Sequence, residues 1–268
     1  MTLDLFRQDA TLTACTATIT ALTPQGIVLD RTVFYPLGGG QAGDTGELVL
    51  DDGRCIAIAD TRKGKDAAGR PNADICHVPA GLLHAVSPAG LLQTGVDALS
   101  FQEFYAALGL SEGLRVQAQI DAPRRRRLMR FHTATHLLCH LVPALVDGCS
   151  ITPDYARLDF ATTEPLDKDA LTAGLARLVA EAHPVVVGAI TDAELDANPA
   201  LVKSMSVQPP RGSGVVRTIR IGAGAVPIDF QPCGGTHVAN TAEIGAVAVT
   251  KIEKKSARTR RVVLGLAD

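Results

Sequence analysis

Two short motifs place metal-ligand side chains at matching intervals. His132 and His136 stand four positions apart in the first motif, and Cys233 and His237 stand four positions apart in the second. Three imidazoles and one thiolate make a complete ligand set for tetrahedral zinc. Because 97 positions separate the two motifs, a shared site requires a folded domain to bring them together. The motifs predict a zinc site, and the alternative is a buried cysteine among ordinary core histidines.

The residue that directly follows His132 limits the classes of zinc enzyme to which this chain can belong. Metalloproteases with two histidines at this spacing carry a glutamate directly after the first, and here that position is Thr133. Zinc deaminases need His-x-Glu together with Cys-x-x-Cys, and neither pattern is present at these motifs. No carboxylate inside the motifs is placed to act as a general base, so both enzyme classes are disfavoured.

The elements that must position these motifs indicate an α+β protein. A helix is predicted over 123–145, because apolar residues recur there every three to four positions and Asp121 can cap its start. His132 and His136 then share one helical face. A second helix is predicted over 168–182, and residues 101–108, within an ambiguous stretch, are a candidate helical insertion. Strands are predicted over 11–22, 27–29, 46–50, 55–59, 114–120, 157–160, 185–190, 215–221 and 244–252.

This pattern predicts two domains. Residues 1–120 read as a small, glycine-rich, β-barrel-like domain made of short strands and turns. Residues 121–268 read as an α+β domain that carries the split zinc site. The polar stretch 61–73 is predicted to be a loop, and residues 80–113 are ambiguous.

Composition and charge set further bounds. The chain has 268 residues, of which 46% are hydrophobic and 20% charged, as in an ordinary globular protein. No apolar run is long enough to span a bilayer, and no signal peptide is visible, so no membrane association is expected. Six irregularly spaced cysteines do not suggest a disulfide framework, and a reducing, cytoplasmic setting is expected.

The basic residues are unevenly distributed although the net charge is −2. Eleven of the 26 fall in two short stretches, which are candidates for phosphate contacts. The alternative is a solvated charged face. The candidates are Arg124, Arg125, Arg126, Arg127, Arg130, Lys251, Lys254, Lys255, Arg258, Arg260 and Arg261.

The motifs resemble those of a known family. His-Thr-Ala-Thr-His-Leu-Leu at 132–138 and Cys-Gly-Gly-Thr-His-Val at 233–238 resemble the editing domain of alanyl-tRNA synthetase and its free-standing relatives, the alanyl-tRNA editing (AlaX) proteins. The glycine-rich segment 34–46, Arg157-Leu158-Asp159-Phe160 and Glu243-Ile244-Gly245 extend the likeness over nearly the whole chain. Since the chain is too short to add a synthetase's ATP-binding domain, the resemblance implies a free-standing editor of the medium-length type.

The resemblance implies an activity and its components. The expected reaction is hydrolysis of the ester bond of tRNA(Ala) wrongly charged with serine, and glycine is a second candidate. Zn²⁺ is the implied cofactor, with His132, His136, Cys233 and His237 as its ligands. The implied partner is the mischarged tRNA, bound through the basic stretches, and no stable protein partner is implied. The implied substrate-binding residues are Gly38, Gly39, Gly40, Gln41, Gly43 and Asp44.

Serine selection requires a partner for one hydroxyl. A synthetase pocket sized for alanine cannot strongly reject an isostere with an added hydroxyl, whereas a second site that binds this hydroxyl prefers serine. Thr135 is the candidate for this catalytic-site role, and its alternative is packing or back-bonding to the helix. Asp159 is a weaker catalytic candidate, which either orients a ligand histidine or pairs with Arg157 only.

Three points stay open at the level of sequence. The zinc either polarises the ester or only positions the aminoacyl group, because four protein ligands close a tetrahedral site. The glycine-rich segment is either a turn cluster or a loop whose backbone approaches the substrate. The rival functions are a zinc-dependent hydrolase of another small ester and a non-catalytic RNA-binding module with structural zinc.

Overall fold

The computed structural model describes residues 1–82, 100–205 and 214–267. The chain divides into two compact units. The first comprises Met1–Gly38 and Gly43–Arg125, and the second comprises Gly39–Ala42 and Arg126–Asp268. The mixture of strands and helices agrees with the predicted α+β class. The grouping of residues 39–42 with the second unit has no counterpart in the sequence analysis. No helix in the described ranges has the length and apolar character needed to cross a membrane.

The first unit is built mainly from strands. Strands β2, β3, β7, β6, β5 and β8 pair in that order into a closed barrel, with all neighbours antiparallel, while β1 pairs with β4 in parallel. The strands are β1 (Leu3–Asp4), β2 (Ala14–Thr23), β3 (Gly26–Leu29), β4 (Arg31–Thr32), β5 (Gly46–Leu50), β6 (Cys55–Lys65), β7 (Pro71–Pro79) and β8 (Arg115–Ile120). The helices are α1 (Leu5–Gln8) and α2 (Phe101–Ala107).

The barrel core follows the period-two pattern of its strands. Val116, Ala118 and Ile120 alternate with partly exposed residues on β8, and they are buried together with Leu48 and Leu50 of β5. Strand β8 confirms the strand predicted over 114–120, and α2 forms at the candidate helical insertion over 101–108. Of the ambiguous stretch 80–113, residues 83–99 lie outside the described ranges.

The predicted loop over 61–73 is wrong. Strand β6 continues to Lys65 and β7 begins at Pro71, so only a tight turn separates them. The Asp66 carboxylate closes this turn by accepting hydrogen bonds from the backbone N–H groups of Ala68 and Arg70, at 2.9 Å each. The polar composition misled the prediction, because side chains of a paired strand can face solvent while the backbone still forms its ladder.

The second unit combines two antiparallel sheets with helices. One sheet has the order β14-β15-β10-β9, and the other has the order β11-β12-β13. The strands are β9 (Val146–Ile151), β10 (Ala156–Ala161), β11 (Val185–Thr191), β12 (Val215–Ile221), β13 (Asp229–Pro232), β14 (Val247–Ser256) and β15 (Thr259–Leu266). The helices are α3 (Ala122–Leu141), which begins in the first unit, α4 (Lys168–Ala180) and α5 (Asp192–Ala197), with short 3-10 turns at Pro199–Leu201 and Thr241–Ile244.

Helix α3 is the element that carries the first motif. Its start is capped as predicted, because the Asp121 carboxylate accepts a hydrogen bond from the Arg124 N–H at 3.0 Å. Leu128, Phe131 and Leu138 repeat at helical spacing and are fully buried. The helix ends at Leu141 instead of residue 145, since the residue before Pro143 is disfavoured in the helical conformation.

Two other boundaries differ from the prediction. Helix α4 is capped by Asp167 and buries Leu171, Leu175 and Leu178, but it ends at Ala180. The strand expected over 244–252 begins only at Val247, because the preceding residues form the Thr241–Ile244 turn. Gly245 ends this turn with φ of 68°, a conformation that favours glycine.

Candidate metal centre and its surroundings

The two motifs meet inside the second unit. Helix α3 carries His132 and His136 on one face, and the loop after β13 carries Cys233 and His237. One ligand atom from each of the four residues lies within 4.8 Å of the others, and the three histidines are buried. The structure thus brings together all four residues that the sequence analysis proposes as metal ligands.

Glycine is required at position 235 because the His132 ring lies close to its backbone. A Cβ atom at this position would overlap the imidazole of His132. Paired glycines often permit a tight turn, but for Gly235 the constraint is the ring that lies against its backbone. Its φ is not in the left-handed region.

Each histidine engages its Nδ1 atom with a different protein group. The His132 Nδ1–H donates to Gln41 Oε1 at 2.7 Å, and the His136 Nδ1–H donates to Asp229 Oδ2 at 2.7 Å. His237 Nδ1 lies 3.2 Å from Thr133 Oγ1. With Nδ1 acting as the donor, the Nε2 lone pair of each ring is left for a metal, which is the usual arrangement around a protein zinc ion.

Thr133 fixes the His237 ring through a defined set of bonds. Its hydroxyl donates to the Met129 carbonyl at 2.9 Å, so its oxygen can accept from the His237 Nδ1–H and from the Val238 N–H at 3.3 Å. The position where metalloproteases carry glutamate therefore holds a ligand-orienting hydroxyl in this protein.

The spacing of the free ligand atoms fits zinc. With Zn–N bonds of about 2.0 Å and Zn–S bonds of about 2.3 Å, tetrahedral geometry places nitrogen and sulfur roughly 3.5 Å apart. Cys233 Sγ lies 3.5 Å from His132 Nε2 and 3.3 Å from His237 Nε2. The donor set, the ligand spacing and the anchored Nδ1 atoms all suit a zinc ion.

The electrostatics of the cluster favour a thiolate. Burial alone would raise the pKa of the Cys233 thiol, but the neighbouring His132 and His237 hold this pKa well below its usual range. Burial lowers the pKa of His237 to about 3, with the nearby His132 acting in the same direction. For His136, burial is opposed by the hydrogen bond to Asp229 and by Cys233, which together raise its pKa to about 9.

Thr135 is buried and its hydroxyl is already bonded. It donates to the carbonyl of His132 at 2.7 Å, three residues earlier in the helix. This is the back-bonding that the sequence analysis offers as the alternative to serine recognition. The hydroxyl oxygen keeps its capacity to accept a hydrogen bond.

Asp159 lies in a cluster of cations. Its carboxylate accepts bonds from Arg157 at 3.1 Å, Lys255 at 2.8 Å and Arg261 at 2.7 Å. Burial would raise the pKa of Asp159, but Arg261 and Lys255 lower it to about 2. The carboxylate that contacts a candidate ligand histidine is that of Asp229 and not that of Asp159, and Asp229 was not among the predicted site residues. A carboxylate four residues before Cys233 was the available signal.

The glycine-rich segment divides between the two units. Gly39 and Gly40 have φ of 59° and 85°, and a Cβ atom on Gly40 would contact Cys149 Sγ at 2.8 Å. Gln41 is fully buried, and its Nε2 donates to Thr236 Oγ1 at 2.9 Å, so it links His132 to the second motif. Gly38 and Gly43 belong to the first unit.

Asp44 forms a buried ion pair in the first unit. Its side chain is 1% exposed and pairs with Arg125, which is 3% exposed. The Tyr35 N–H also donates to Asp44, and Arg125 donates to the carbonyls of Ala10 and Val33. These contacts give both groups a structural role within the first unit, and the predicted substrate contact of Asp44 and tRNA contact of Arg125 stay predictions.

The remaining arginines of the first basic stretch differ in exposure. Arg124 donates to the Gly43 carbonyl at 2.7 Å, Arg127 to that of Pro153 at 2.8 Å, and Arg130 to that of Ile244 at 2.7 Å. The Arg126 side chain is 63% exposed, with Glu243 at 4.0 Å. The sequence shows the charge of this stretch. It does not show that backbone carbonyls accept hydrogen bonds from Arg124, Arg127 and Arg130.

The second basic stretch forms a hairpin of β14 and β15. Lys254 faces Arg260 across the ladder, and Glu253 faces Arg261. Lys251 pairs with Glu253, whereas Lys254 and Arg258 are exposed near the turn. Arg260 donates to the carbonyl of Thr163 among others. This hairpin, residues 247–266, contains six cationic residues and one acidic residue, Glu253.

Comparison with known proteins identifies the family. Residues 216–263 match the family model described as the threonyl and alanyl tRNA synthetase second additional domain. The chain is 32% identical over 250 residues to the alanyl-tRNA editing protein AlaX-M of Methanosarcina acetivorans, covering 90% of this chain and 89% of that protein. The chain belongs to the AlaX-M family of alanyl-tRNA editing proteins.

Further relatives define the extent of the AlaX-M match. The chain is 30% identical over 277 residues to AlaX-M of Methanosarcina mazei, covering 100% of this chain and 98% of that protein. It is also 32% identical over 237 residues to the alanine–tRNA ligase of Metallosphaera sedula, covering 85% of this chain and 22% of the ligase. The similarity to the ligase is thus confined to a small part of that longer enzyme.

Proposed function

We propose that the protein is a trans-editing hydrolase that releases serine from mischarged tRNA(Ala), with glycine as a second candidate amino acid. The convergence of His132, His136, Cys233 and His237 in one buried cluster carries this proposal, within a chain that matches AlaX-M along most of its length. The relatives' name indicates editing of alanyl-tRNA, and the chemistry of the serine hydroxyl supports the choice of amino acid.

The proposed cofactor is Zn²⁺, held by three Nε2 atoms and the Cys233 thiolate. When bound, zinc would supply positive charge that positions or polarises the aminoacyl group. Four protein ligands close a tetrahedral site, and this favours positioning of the substrate over activation of a water molecule. Gln41, Thr133 and Asp229 hold the three rings in the required tautomer.

Thr135 is proposed to recognise the serine hydroxyl. Its own proton is committed to the His132 carbonyl, so its oxygen is oriented to accept. Serine can donate to this oxygen, whereas alanine cannot, and such a difference discriminates strongly in a buried site. The backbone of Gly39 and Gly40 is the proposed contact for the aminoacyl end, because side chains are absent there.

The hairpin of β14 and β15 is proposed to bind the phosphate backbone of the tRNA, with the exposed Arg126 as a further contact. Lys254 and Arg258 near the turn are exposed and can reach phosphates.

Asp159 is proposed to organise Arg157, Lys255 and Arg261, and it is not assigned a step in hydrolysis. Residues 1–120 are proposed as an accessory domain and 121–268 as the editing domain, acting in the cytoplasm where a free thiolate persists.

Deacylation of tRNA(Ala) charged with serine, glycine or alanine tests the proposal. We expect the wild-type protein to release serine rapidly and to spare alanine. Cys233→Ala should lose turnover while it remains folded, and Thr135→Val should lose the preference for serine. Zinc content and thermal melting, measured on each variant, separate a catalytic defect from unfolding.

A structural-zinc RNA-binding module is the second candidate, because four protein ligands can also make a closed, inert site. Folded, zinc-loaded protein that releases none of the three amino acids would support this module and contradict the editing proposal. In that case Cys233→Ala should lower the melting temperature strongly, since metal binding would then contribute mainly to folding.

A further inference from the structure

The carboxylate of Asp229 is the charged partner among the three groups that bind the ligand histidines. Gln41 and Thr133 offer a neutral amide and a neutral hydroxyl to His132 and His237, whereas Asp229 offers a carboxylate to His136 at 2.7 Å. The Asp229 side chain is completely buried. A buried charge of this kind is costly unless it is paired and hydrogen-bonded.

The surroundings of Asp229 satisfy that requirement. Lys203 Nζ contacts Asp229 Oδ1 at 2.5 Å, and Gln231 Nε2 donates to Oδ2 at 2.9 Å. The two carboxylate oxygens thus face different partners, since Oδ1 binds the lysine and Oδ2 binds the histidine. Lys203 compensates the negative charge of Asp229 through Oδ1, so Oδ2 stays available to accept the hydrogen bond from His136.

The position of Asp229 in the fold couples it to the thiolate ligand. Asp229 is the first residue of β13, and its backbone pairs with Ile221 of the neighbouring strand β12. Cys233 follows directly after β13. This short strand therefore positions both the carboxylate that contacts His136 Nδ1 and the thiolate of the ligand cluster. Any shift of this strand would move both groups together.

We propose that Asp229 is a positioning residue of the metal centre, which fixes the His136 ring with Nε2 toward the metal, while Lys203 compensates its charge. This inference rests on the proposed metal site. A carboxylate that accepts from Nδ1–H both orients the ring and makes Nε2 a stronger donor. Loss of such a partner typically lowers metal affinity by about 10–100-fold.

The test measures zinc affinity of Asp229→Asn by competition with a chromophoric chelator. We expect the zinc Kd to rise about 10–100-fold, and the visible absorption bands of the Co²⁺-loaded protein to change, because His136 is no longer held in one tautomer. Lys203→Met should lower stability, because it leaves the buried carboxylate without its cation, while its zinc Kd should rise less than that of Asp229→Asn, since the group that binds His136 stays in place.

Asp159→Asn is the matched control. It also neutralises a buried, cation-bound aspartate of the same unit, but this residue binds Arg157, Lys255 and Arg261. It should lose stability while its zinc Kd and Co²⁺ spectrum stay at wild-type values. If Asp229→Asn fails to fold, the double variant Asp229→Asn/Lys203→Met removes the conflict between the new amide and the ammonium group.

Two results would overturn the inference and are distinguishable from each other. Wild-type zinc Kd and Co²⁺ spectrum in a folded Asp229→Asn variant would show that Asp229 does not position the ligand, and the proposed metal site would stand. Absence of zinc and Co²⁺ uptake by the wild-type protein would remove the proposed metal site, and the role of Asp229 with it.

Discussion

At the scale of single residues, each ligand histidine engages Nδ1 with the protein and leaves Nε2 facing the cluster. The two motifs supplied the ligands from sequence alone, because their spacing of four matches a helical turn in one case and a short loop in the other. The partners of their Nδ1 atoms were not predicted, since Gln41 and Asp229 lie 91 and 93 positions from the histidines that they contact, and the position of Asp229 shortly before Cys233 was the one local signal.

Replacement of Gly235 by alanine should disrupt the metal centre. The new methyl group would overlap the His132 ring, so we expect zinc affinity to fall at least tenfold and stability to fall by about 1–3 kcal/mol. Chelator competition and chemical denaturation measure the two effects. Gly224→Ala is the control, because its Cβ would lie 3.7 Å from the nearest atom, the Val226 carbonyl oxygen. Equal zinc affinity in both variants would contradict the argument.

Replacement of Arg125 by alanine should destabilise the protein. It would leave the buried Asp44 carboxylate without its partner, and breaking a buried pair costs about 3–5 kcal/mol. Chemical denaturation measures this loss. Arg126→Ala removes the neighbouring exposed arginine and should change stability by no more than about 0.5 kcal/mol. If the two variants were equally stable, the ion pair would not have the structural role assigned to it.

At the scale of elements, hydrophobic periodicity predicted most strands and helices because it records which face of each element is buried. It failed where polar residues form a strand, as on β6, and where the local backbone conformation determines the end of a helix or strand. Pro143 shortens α3 and Gly245 delays β14, and each boundary depends on a local conformation that the apolar pattern does not encode.

The β7 strand contains a histidine that makes stability depend on pH. His77 is fully buried, with Nε2 at 2.7 Å from Thr32 Oγ1 and Nδ1 at 3.0 Å from the Ile27 carbonyl. Burial lowers its pKa to about 4 from an ordinary value of 6.5. The unfolded chain therefore binds a proton that the folded protein does not between these values, and stability falls as pH drops from 6.5 to 4.

Denaturation of the wild type and His77→Gln at pH 7.0, 5.5 and 4.5 tests this. We expect the wild type to lose on the order of 2–3 kcal/mol more than the variant over this range. The difference between the two proteins isolates His77 from other titrating groups. Parallel pH profiles would show that His77 is not the source of the effect.

At the scale of the whole molecule, the positive charge is concentrated although the net charge is −2. The sequence predicted two basic stretches as candidates for phosphate contacts and did not distinguish between them. Their three-dimensional contacts separate them, since Arg124, Arg125, Arg127 and Arg130 donate to backbone carbonyls or to Asp44, whereas the hairpin of β14 and β15 keeps exposed cations. Hydrogen bonds to distant carbonyls carry no signature in the sequence.

The hairpin should account for much of the salt dependence of tRNA binding. Lys254→Ala and Arg258→Ala should each weaken binding to tRNA(Ala), and each should reduce the slope of log K against log salt by about 0.7–0.9. Filter binding or fluorescence anisotropy between 50 and 200 mM salt measures this. Arg70→Ala, in the turn between β6 and β7, is the control and should leave the slope unchanged. Unchanged slopes for all three variants would exclude the hairpin as the phosphate contact.

Serine release from Ser-tRNA(Ala), measured against zinc occupancy, tests the central claim most directly. The protein is stripped with a chelator and titrated with zinc while thermal melting verifies that it stays folded. We predict that the deacylation rate rises in proportion to occupancy and saturates at one zinc per chain, with Ala-tRNA(Ala) spared throughout. Equal serine release by folded protein with and without zinc would contradict the account.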